Sequence, residues 1–253
     1  MAEIRASVAM AVYNGEDYLC EQVDSILERM EDHDELVISY DRSTDATRSL
    51  IDAYAARDSR VRVIENDRPG VQNNFNNAVM ACRGTYIFLS DQDDVWIGDK
   101  INIVVDVFER TGADVVVHDG YMVSGDLTPQ PETIFAQYGT SNSPLRNIIK
   151  GSYWGCCMAF RASLRGIVCP FPSEGGVGHD LWLGVLGGMH GKVVRCGDCL
   201  IKHRLHGSNV TTDKRRALPI VLRHRLALIK ALRRRKRELR RREKCINNGG
   251  SSI

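Results

Sequence analysis

The chain has 253 residues, of which 43% are hydrophobic and 26% charged, which is ordinary for a soluble globular protein of one large or two modest domains. No apolar run approaches the roughly 20 residues of a membrane-spanning helix, and the amino terminus lacks the apolar core of a secretory signal, which argues against a membrane-embedded or secreted protein. The net charge is +2, yet residues 214–244 hold fifteen Lys or Arg and two Glu, so the remainder is acidic.

The first 120 residues predict strands that alternate with helices. Apolar runs predict strands at 7–13, 36–39, 61–64, from 85 to 90, and at 113–118. Between them, apolar residues at helical spacing predict helices near 18–27, 43–54, 71–82 and 101–108. This alternation is typical of a parallel sheet with right-handed crossovers. We therefore predict an α/β fold with a mostly parallel central sheet flanked by helices.

After residue 118 the pattern loosens. Gly and Pro residues between 125 and 144 indicate loops, and an apolar run at 153–160 predicts a buried strand. The glycine-rich segment 173–178 is typical of a flexible connection and suggests a mobile lid before a helix that starts at 179–180. Short strands are predicted at 193–194 and 200–201.

Three carboxylates end the fourth predicted strand, at Asp91, Asp93 and Asp94. Open α/β sheets bind ligands just beyond the carboxyl ends of their strands. Two like charges about 4 Å apart repel by roughly 4 kcal/mol at an effective dielectric near 20, so crowded carboxylates suggest a bound cation. Mg²⁺ or Mn²⁺ with phosphate oxygens is one interpretation. The other is an acidic turn that caps the following helix.

The eight cysteines are expected to be reduced thiols, because a chain of this size without a secretory signal rarely builds a disulfide framework. Cys196 and Cys199 have CxxC spacing, with His203 and His206 close behind. A zinc site from these four is conceivable but disfavoured, since so little loop separates the two pairs.

The basic tail, residues 214–253, predicts an amphipathic helix. Such a helix favours an anionic membrane surface, where each cation contributes on the order of 1 kcal/mol. Nucleic-acid binding is disfavoured by the acidic body, and a merely solvated or self-associating helix is the third hypothesis. One helical stripe carries Leu218, Leu222, Leu226, Ile229 and Leu232.

Five segments in order resemble the family 2 glycosyltransferases with the GT-A (nucleotide-diphospho-sugar transferase) fold, in particular the bacterial rhamnosyltransferase-like branch. They are residues 12–15 (VYNG), 39–45 (SYDRSTD), 88–96 (FLSDQDDVW), 179–182 (HDLW) and 206–209 (HGSN). The resemblance covers about residues 6–210. It implies a nucleotide-sugar-binding half at 1–118 and an acceptor-binding half at 119–213, followed by the tail.

The resemblance also implies roles for single residues. It makes Asp93, Asp91 and His206 candidates for holding Mn²⁺ or Mg²⁺ against the donor diphosphate, with a structural histidine as the alternative for His206. For Asp91 it implies a contact either with the metal or with the ribose of the donor. It makes Asp180 the base that activates the acceptor hydroxyl. The alternative for Asp180 is a helix N-cap, a position that Asp favours.

On the donor side, the resemblance implies that Val12 and Tyr13 lie near the nucleotide base, that Asp41 contacts the nucleotide, and that Asn74 helps to place the donor. One departure concerns residues 40–43, which read YDRS where the family usually has DDGS. Trp154 and Trp182 match the acceptor side, where core packing is the other hypothesis.

Taken together, the resemblance implies a metal-dependent, inverting hexosyl or rhamnosyl transferase. Its donor would be a UDP- or dTDP-sugar and its acceptor a carbohydrate or lipid-linked oligosaccharide of bacterial surface polysaccharide. We expect it in the cytoplasm, peripheral on the inner face of the cell membrane. A sugar-phosphate nucleotidyltransferase is disfavoured, since residues 14–17 (NGED) lack a Gly- and Lys-rich phosphate loop. A catalytically impaired binding protein that recruits partners through its basic tail is the second alternative.

Overall fold

The computed structural model describes residues 3–173, 175–206 and 218–249. Its first half alternates strands and helices as the apolar pattern predicts. The elements are β1 (Ala6–Val12), α1 (Leu19–Leu27), β2 (Asp34–Tyr40), α2 (Thr47–Arg57), β3 (Val61–Glu65), α3 (Val71–Ala81), β4 (Tyr86–Ser90), β5 (Val95–Trp96) and α4 (Lys100–Thr111).

The second half is less regular. Its elements are β6 (Val115–Ser124), β7 (Pro129–Thr133), α5 (Ile134–Tyr138), α6 (Pro144–Lys150), β8 (Met158–Arg161), α7 (Arg165–Val168), α8 (His179–His190), β9 (Val193–Leu205) and α9 (Leu218–Gly249). Short 3₁₀ turns precede β8 and α7.

The strands form one nine-stranded sheet in the order β3-β2-β1-β4-β8-β6-β9-β5, with β7 paired to β6. Strands β1 to β4 are mutually parallel. Strand β8 lies antiparallel between β4 and β6, and β9 runs parallel to β6. The predicted α/β architecture is therefore confirmed, with a sheet that is parallel in its first half and mixed in its second.

Two predicted strands differ from those in the structure. The apolar run 153–160 begins as a 3₁₀ turn and becomes a strand only at Met158. A Cβ atom on Gly155 would lie 2.4 Å from His179 Nε2, so the turn fits closely against that ring. The short strands predicted at 193–194 and 200–201 are one continuous strand, β9, and its register against β6 shifts after His118.

Helix α9 packs on the body through a face that the apolar stripe did not predict. Leu228 is fully buried and Arg235 is 3% exposed, whereas Leu222 and Leu226 are 61% and 59% exposed. The side chain of Leu218 and residues 207–217, which include the last three of the segment 206–209, lie outside the described residues. Among the described helices, none combines the length and the apolar character that crossing a bilayer demands.

Candidate active site

The carboxyl ends of β1, β2 and β4 meet at one edge of the sheet, where hydrogen bonds join them to α3. The Val12 carbonyl accepts from the Asp41 amide (2.9 Å) and from Asn74 Nδ2 (3.0 Å). Val12 and Asn74 are both buried. Asn74 Oδ1 has no hydrogen-bond partner among the described atoms. The structure thus brings three of the predicted donor-side residues together at the end of β1.

Asp41 is buried, and both of its carboxylate oxygens are engaged within the protein. One accepts from Asn66 Nδ2 (2.6 Å) and the other from the Gly70 amide (2.9 Å). Gly70 immediately precedes α3. Asp41 therefore fixes the turn that sets the position of α3, and its predicted contact with the nucleotide stays a prediction.

The backbone of Tyr13 forms two hydrogen bonds with the side chain of Gln92, an arrangement called here the Tyr13–Gln92 bracket. The Tyr13 amide donates to Gln92 Oε1 (2.8 Å), and Gln92 Nε2 donates to the Tyr13 carbonyl (2.8 Å). The amide side chain of Gln92 therefore pairs with the end of β1 much as a neighbouring strand would. The Tyr13 ring is 54% exposed beside this bracket. Gln92 had no role in the sequence prediction.

The departure at residues 40–43 is accommodated by a tyrosine hydroxyl. Tyr40 is buried, and its hydroxyl oxygen accepts from the Ser43 amide (3.0 Å). Ser43 Oγ donates to the Asp41 carbonyl (2.9 Å) and accepts from the Asn14 amide (3.0 Å). These bonds hold residues 41–46 as a loop, so α2 begins at Thr47 and not near Ser43 as predicted.

Asp93 and His206 meet beyond β4, and Asp91 lies two residues before Asp93 on the same loop. His206 Nε2 and Asp93 Oδ2 are 2.8 Å apart, and the ring of His206 lies 4.7 Å from that of Tyr18. Burial and the charges of Asp93 and Asp94 raise the pKa of Asp91 well above its usual value. The pKa of Asp93 is raised too, by burial and by Asp94, although His206 opposes the shift. Both carboxylates are thus costly to keep as anions, and a bound cation would relieve that cost.

A second group lies deeper, at Asp94, His203 and Cys156. His203 Nδ1 donates to Asp94 Oδ1 (2.8 Å), which also accepts from the Arg204 amide (3.1 Å). The Cys156 sulfur is 3.8 Å from His203 Nδ1. All three side chains are buried. Attraction between Asp94 and His203 raises the pKa of the histidine well above its usual value, although burial alone would lower it.

Arg204 links β9 to the loop after β4. Its Nε donates to the Asp93 carbonyl (3.0 Å), and its terminal nitrogens reach the Gly125 carbonyl and the Glu21 carboxylate. The guanidinium also lies 4.7 Å from the ring centre of Tyr18. Arg204 thereby fixes the backbone that carries Asp93, a role that the sequence prediction missed.

Asp180 approaches the same cleft from α8. It is the second residue of the helix, and its Oδ1 accepts from the Leu181 amide (2.6 Å). Gly178 occupies the N-cap position, so Asp180 is not itself the N-cap residue, although its carboxylate does accept from an amide of the first turn. The charge of Asp180 is among the causes that raise the pKa of Asp91. The negative charge of Asp180 therefore acts on the carboxylate at the end of β4.

The donor atoms near Asp91 suit a divalent ion better than the deeper group does. Asp91 and Asp93 offer half-buried carboxylates, and His206 adds a ring nitrogen beside Asp93. Such hard oxygen donors match Mg²⁺ or Mn²⁺ shared with phosphate. In the deeper group, one ligand atom each of Asp94, Cys156 and His203 lie within 4.8 Å of one another, which is close enough to hold an ion. Each group contains one aspartate–histidine bond of 2.8 Å.

The zinc alternative finds little support in the described residues. Cys196 donates its thiol to Asp198 (3.1 Å), while His203 turns to Asp94 and His206 to Asp93. The two cysteines and the two histidines do not gather into one group in the part of the chain that the structure describes.

A parallel α/β layer whose strand ends carry acidic side chains, extended by a mixed sheet, is the architecture of the GT-A fold. The sequence matches the family described as Glycosyl transferase family 2 over residues 7–166. The chain belongs to this family, as its motifs predicted.

Two curated relatives and one solved structure illustrate the similarity. WfgD of Escherichia coli, a UDP-Glc:α-D-GlcNAc-diphosphoundecaprenol β-1,3-glucosyltransferase, is 24% identical over 85% of this chain and 82% of its own. TuaG of Bacillus subtilis, assigned to teichuronic acid biosynthesis, is 31% identical over 57% of this chain and 58% of its own.

S. aureus TarS, solved as residues 1–349 with UDP-GlcNAc, superposes with a TM-score of 0.66 at 18% identity, over 81% of this chain and 60% of TarS. This likeness shows the fold. The chain spans less than two thirds of the length of TuaG and of the TarS structure.

Proposed function

We propose that the protein transfers a sugar, with inversion at the anomeric carbon, from a UDP- or dTDP-sugar to a carbohydrate or lipid-linked acceptor in bacterial surface polysaccharide synthesis. The observation that carries the proposal is the match to Glycosyl transferase family 2 over residues 7–166, together with Asp91 and Asp93 just beyond β4 and Asp180 at the start of α8. The donor named for WfgD and the UDP-GlcNAc bound to TarS support a UDP-sugar. The WfgD acceptor supports a diphospholipid-linked sugar.

The donor is assigned to residues 1–118. Its nucleotide would lie across the ends of β1 and β2, near Val12, Tyr13 and Asp41, with Asn74 at the end of β1. Its diphosphate would lie against Asp91, Asp93 and His206. A divalent cation held by these three side chains would act as a Lewis acid toward the departing diphosphate. The Tyr13–Gln92 bracket and Arg204 support this side by fixing the backbone around it.

The acceptor is assigned to residues 119–213, with Asp180 as the base. The acceptor hydroxyl oxygen attacks the anomeric carbon, the bond from that carbon to the diphosphate oxygen breaks, and Asp180 takes the hydroxyl proton. Trp154 is half-buried and packs against Tyr138 (4.8 Å), so it is the better candidate for a sugar contact. Trp182 is buried with its Nε1 bonded to the Val168 carbonyl (2.7 Å), which favours core packing.

Nucleotide binding tests the donor side. Titration of UDP and dTDP into the protein by calorimetry should give heats that depend on Mn²⁺ or Mg²⁺. A panel of nucleotide sugars, starting with UDP-glucose and UDP-GlcNAc, should then show which is hydrolysed or transferred. Nucleotide binding that ignored the metal would contradict the metal assignment.

Paired variants test the two carboxylate roles. Asp180→Asn should abolish transfer and keep nucleotide binding, because only the proton acceptor is lost. Asp93→Ala should weaken both. Asp52, an exposed acid of α2, gives the control Asp52→Asn, which should behave as wild type. Full transfer by Asp180→Asn would overturn the base assignment.

We also propose that α9 binds an anionic membrane surface, which would hold the enzyme at the inner face of the cell membrane. Leu222 and Leu226 are exposed one turn apart, among exposed basic residues such as Arg223 and Lys230. A helix of this kind lies in a bilayer surface with its apolar residues inserted.

Vesicle binding tests this part of the proposal. The protein should sediment with anionic vesicles at low salt, less so at high salt, and hardly at all when Leu222 and Leu226 are both changed to Asp. The control is Met80→Asp, at an exposed apolar residue of α3, which should not affect sedimentation. Equal binding to neutral and anionic vesicles would contradict a role for the basic residues.

A catalytically impaired binding protein is the second candidate, motivated by the altered residues 40–43. The hydrogen bonds of Tyr40 and Ser43 hold that loop together and favour an intact donor side. Absence of metal-dependent nucleotide binding would favour the impaired protein. Binding without turnover on any donor would favour it as well.

A further inference from the structure

Helix α9 contacts both ends of the connection that leads from α7 to Asp180. At one end, Arg235 is buried against the last turn of α7. Its Nε donates to the Ile167 carbonyl (2.8 Å), and one terminal nitrogen donates to the carbonyls of Gly166 (2.9 Å) and Cys169. A guanidinium at these carbonyls satisfies groups that a helix end leaves without partners, and its charge suits the negative end of the helix.

The burial of Arg235 sets it apart from the other cations of α9. Arg233, Arg234, Lys236 and Arg237 are all exposed, whereas Arg235 is 3% exposed. Its remaining charge is balanced within the helix by Glu238, 3.1 Å away. A surface-binding tail gains nothing from a cation held inside the protein. Arg235 therefore has a different role from its neighbours.

At the other end of the connection, α9 lies against a pair of glycines. Gly175 and Gly176 have φ angles of 77° and 69°, which favour glycine. A Cβ atom on Gly175 would lie 2.6 Å from the Cβ atom of Ala227, and one on Gly176 would lie 2.5 Å from His224 Nε2. This glycine pair, which belongs to the segment predicted as a mobile lid, packs against α9 three residues before α8 begins.

The first turn of α8 is held on its other sides as well. Trp182 Nε1 donates to the Val168 carbonyl, which joins α8 to the end of α7 that Arg235 caps. The His179 ring lies 4.0 Å from the ring of Phe75 in α3. Asp180 thus lies in the first turn of α8. The position of that turn depends on α3, on α7 and, through the connection from α7 to α8, on α9.

We infer that His224, Ala227 and Arg235 are positioning residues for Asp180, so that α9 is a structural part of the acceptor side and not only a surface-binding tail. The inference rests on the proposed role of Asp180. The inward face of α9, which carries these three residues, holds the connection in place. The outward face of α9 carries the exposed leucines and cations. Since proton transfer requires hydrogen-bond reach, a small displacement of this helix start slows transfer without disturbing the nucleotide.

The test compares Arg235→Lys with Arg234→Lys, which changes the exposed neighbour in the same way. Lysine keeps the charge but lacks the planar fork that reaches several carbonyls. In the absence of membranes, Arg235→Lys should lower kcat for the best nucleotide sugar by about 10- to 100-fold. KM for the donor and the affinity for UDP with Mn²⁺ should not change. Arg234→Lys should match wild type in all three.

Ala227→Leu is a second variant, which presses a larger side chain on Gly175 without touching the guanidinium. Met80→Phe is its control, at an exposed apolar residue of α3. Ala227→Leu should lower kcat and spare KM in the same way. Retained UDP binding will show that the donor side of each variant is folded.

Hydrogen exchange separates failure of this inference from failure of the proposed function. Amides in 165–173 and 175–182 should exchange faster in Arg235→Lys and Ala227→Leu, while those in 86–96 should not. If wild type showed no transfer and no metal-dependent nucleotide binding, the proposed function would fail, and the exchange data would still test the bracing by α9. Unchanged exchange in both variants, or faster exchange with full kcat, would overturn the inference.

Discussion

Two aspartate–histidine pairs lie side by side where the loop after β4 meets the end of β9. The pKa of one aspartate is lowered and that of the other is raised. Both pairs have an N–O separation of 2.8 Å. The Asp94 side chain is fully buried and that of Asp93 is 16% exposed. Burial alone would raise the pKa of Asp94, but His203 lowers it overall by charge and hydrogen bonding. The pKa of Asp93 is raised despite His206.

The two aspartates of the loop after β4 therefore have different expected roles, one in stability and one in metal binding. Asp94 accepts from His203 and from the Arg204 amide, so its negative charge is stabilised where it lies. Asp94 Oδ2, in contrast, has no hydrogen-bond partner among the described atoms. Asp93 is bonded to His206 and is repelled by Asp94. A carboxylate whose charge is held by an interior ion pair is an anchor, while one whose anion is disfavoured near the surface favours binding of a cation. We therefore expect Asp93 substitutions to change chemistry and Asp94 substitutions to change stability.

The largest expected effect is that of Asp93→Asn on catalysis. The amide keeps the size of the side chain and removes the charge that is proposed to hold the metal. Transfer should fall by about 10³-fold, or ~4 kcal/mol, as for other lost electrostatic contacts to a transition state. Steady-state rates on the best donor, together with metal-dependent UDP affinity, measure it. The free energy of unfolding should stay close to that of wild type, and a large drop would erase the distinction between the two pairs.

The second expected effect is that of Asp94→Asn on stability. His203 would lose the anion that keeps it protonated in the interior, and the amide would replace a hydrogen bond between charged groups. The free energy of unfolding at neutral pH should fall by about 2–3 kcal/mol. Urea unfolding followed by circular dichroism measures it. Below the unfolding transition the variant should still bind nucleotide in a metal-dependent way, and a selective loss of that binding would place Asp94 in the site.

The third effect is the pH dependence of that stability difference. Because the folded pKa of His203 is raised, its contribution is complete below the unfolded value of about 6.5 and is lost as the pH rises through the folded value. The folded pKa of Asp94 is lowered, so its contribution is complete above the unfolded value of about 3.8 and is lost as the pH falls from there through the folded value. Between these limits the pair stabilises the protein fully.

Unfolding measured at several pH values tests this window. Above about pH 6.5 the advantage of wild type over Asp94→Asn should shrink by up to ~1.4 kcal/mol per pH unit. Two nearby groups titrate at about pH 8 or above. Burial lowers the pKa of Lys100 to about 8, and the hydrogen bond with Cys157 and burial raise the pKa of Cys156 well above its usual value. A constant difference between about pH 6.5 and 8 would mean that His203 is neutral.

Much of this arrangement follows from the sequence because the first four strands are locally specified. Strands β1, β2 and β4 are buried runs of apolar residues ended by polar ones, so their existence and the edge where Asp91 and Asp93 lie can be predicted without long-range information. The same local pattern fails at 153–160. There the 3₁₀ turn depends on how closely Gly155 approaches His179, which is 24 positions away in the sequence.

The supporting side chains were missed for the same reason. Gln92 pairs with Tyr13 and Arg204 with Glu21, separations of 79 and 183 residues. Nothing in the local pattern distinguishes Gln92 or Arg204 from an exposed polar residue. Arg235 is likewise one of fifteen basic residues in 214–244, and only packing against α7 sets it apart. Composition predicts the charge of α9, while its inward face depends on the rest of the fold.

The smallest expected effect concerns Tyr18, whose ring contacts both His206 of the Asp93 pair and Arg204, the residue next to His203. It lies 4.7 Å from the ring of His206 and 4.7 Å from the guanidinium carbon of Arg204, which donates to the Asp93 carbonyl. Tyr18→Leu removes both ring contacts, whereas Tyr18→Phe keeps the ring and serves as the control. Contacts of this kind contribute about 0.5–1.5 kcal/mol, so UDP affinity with Mn²⁺ should fall by less than about tenfold in Tyr18→Leu. Calorimetry measures the change. The alternative is that the Asp94–His203 pair alone sets the position of His206 through β9. In that case Tyr18→Leu will bind UDP with Mn²⁺ as tightly as Tyr18→Phe, and the two aspartate–histidine pairs will not act independently.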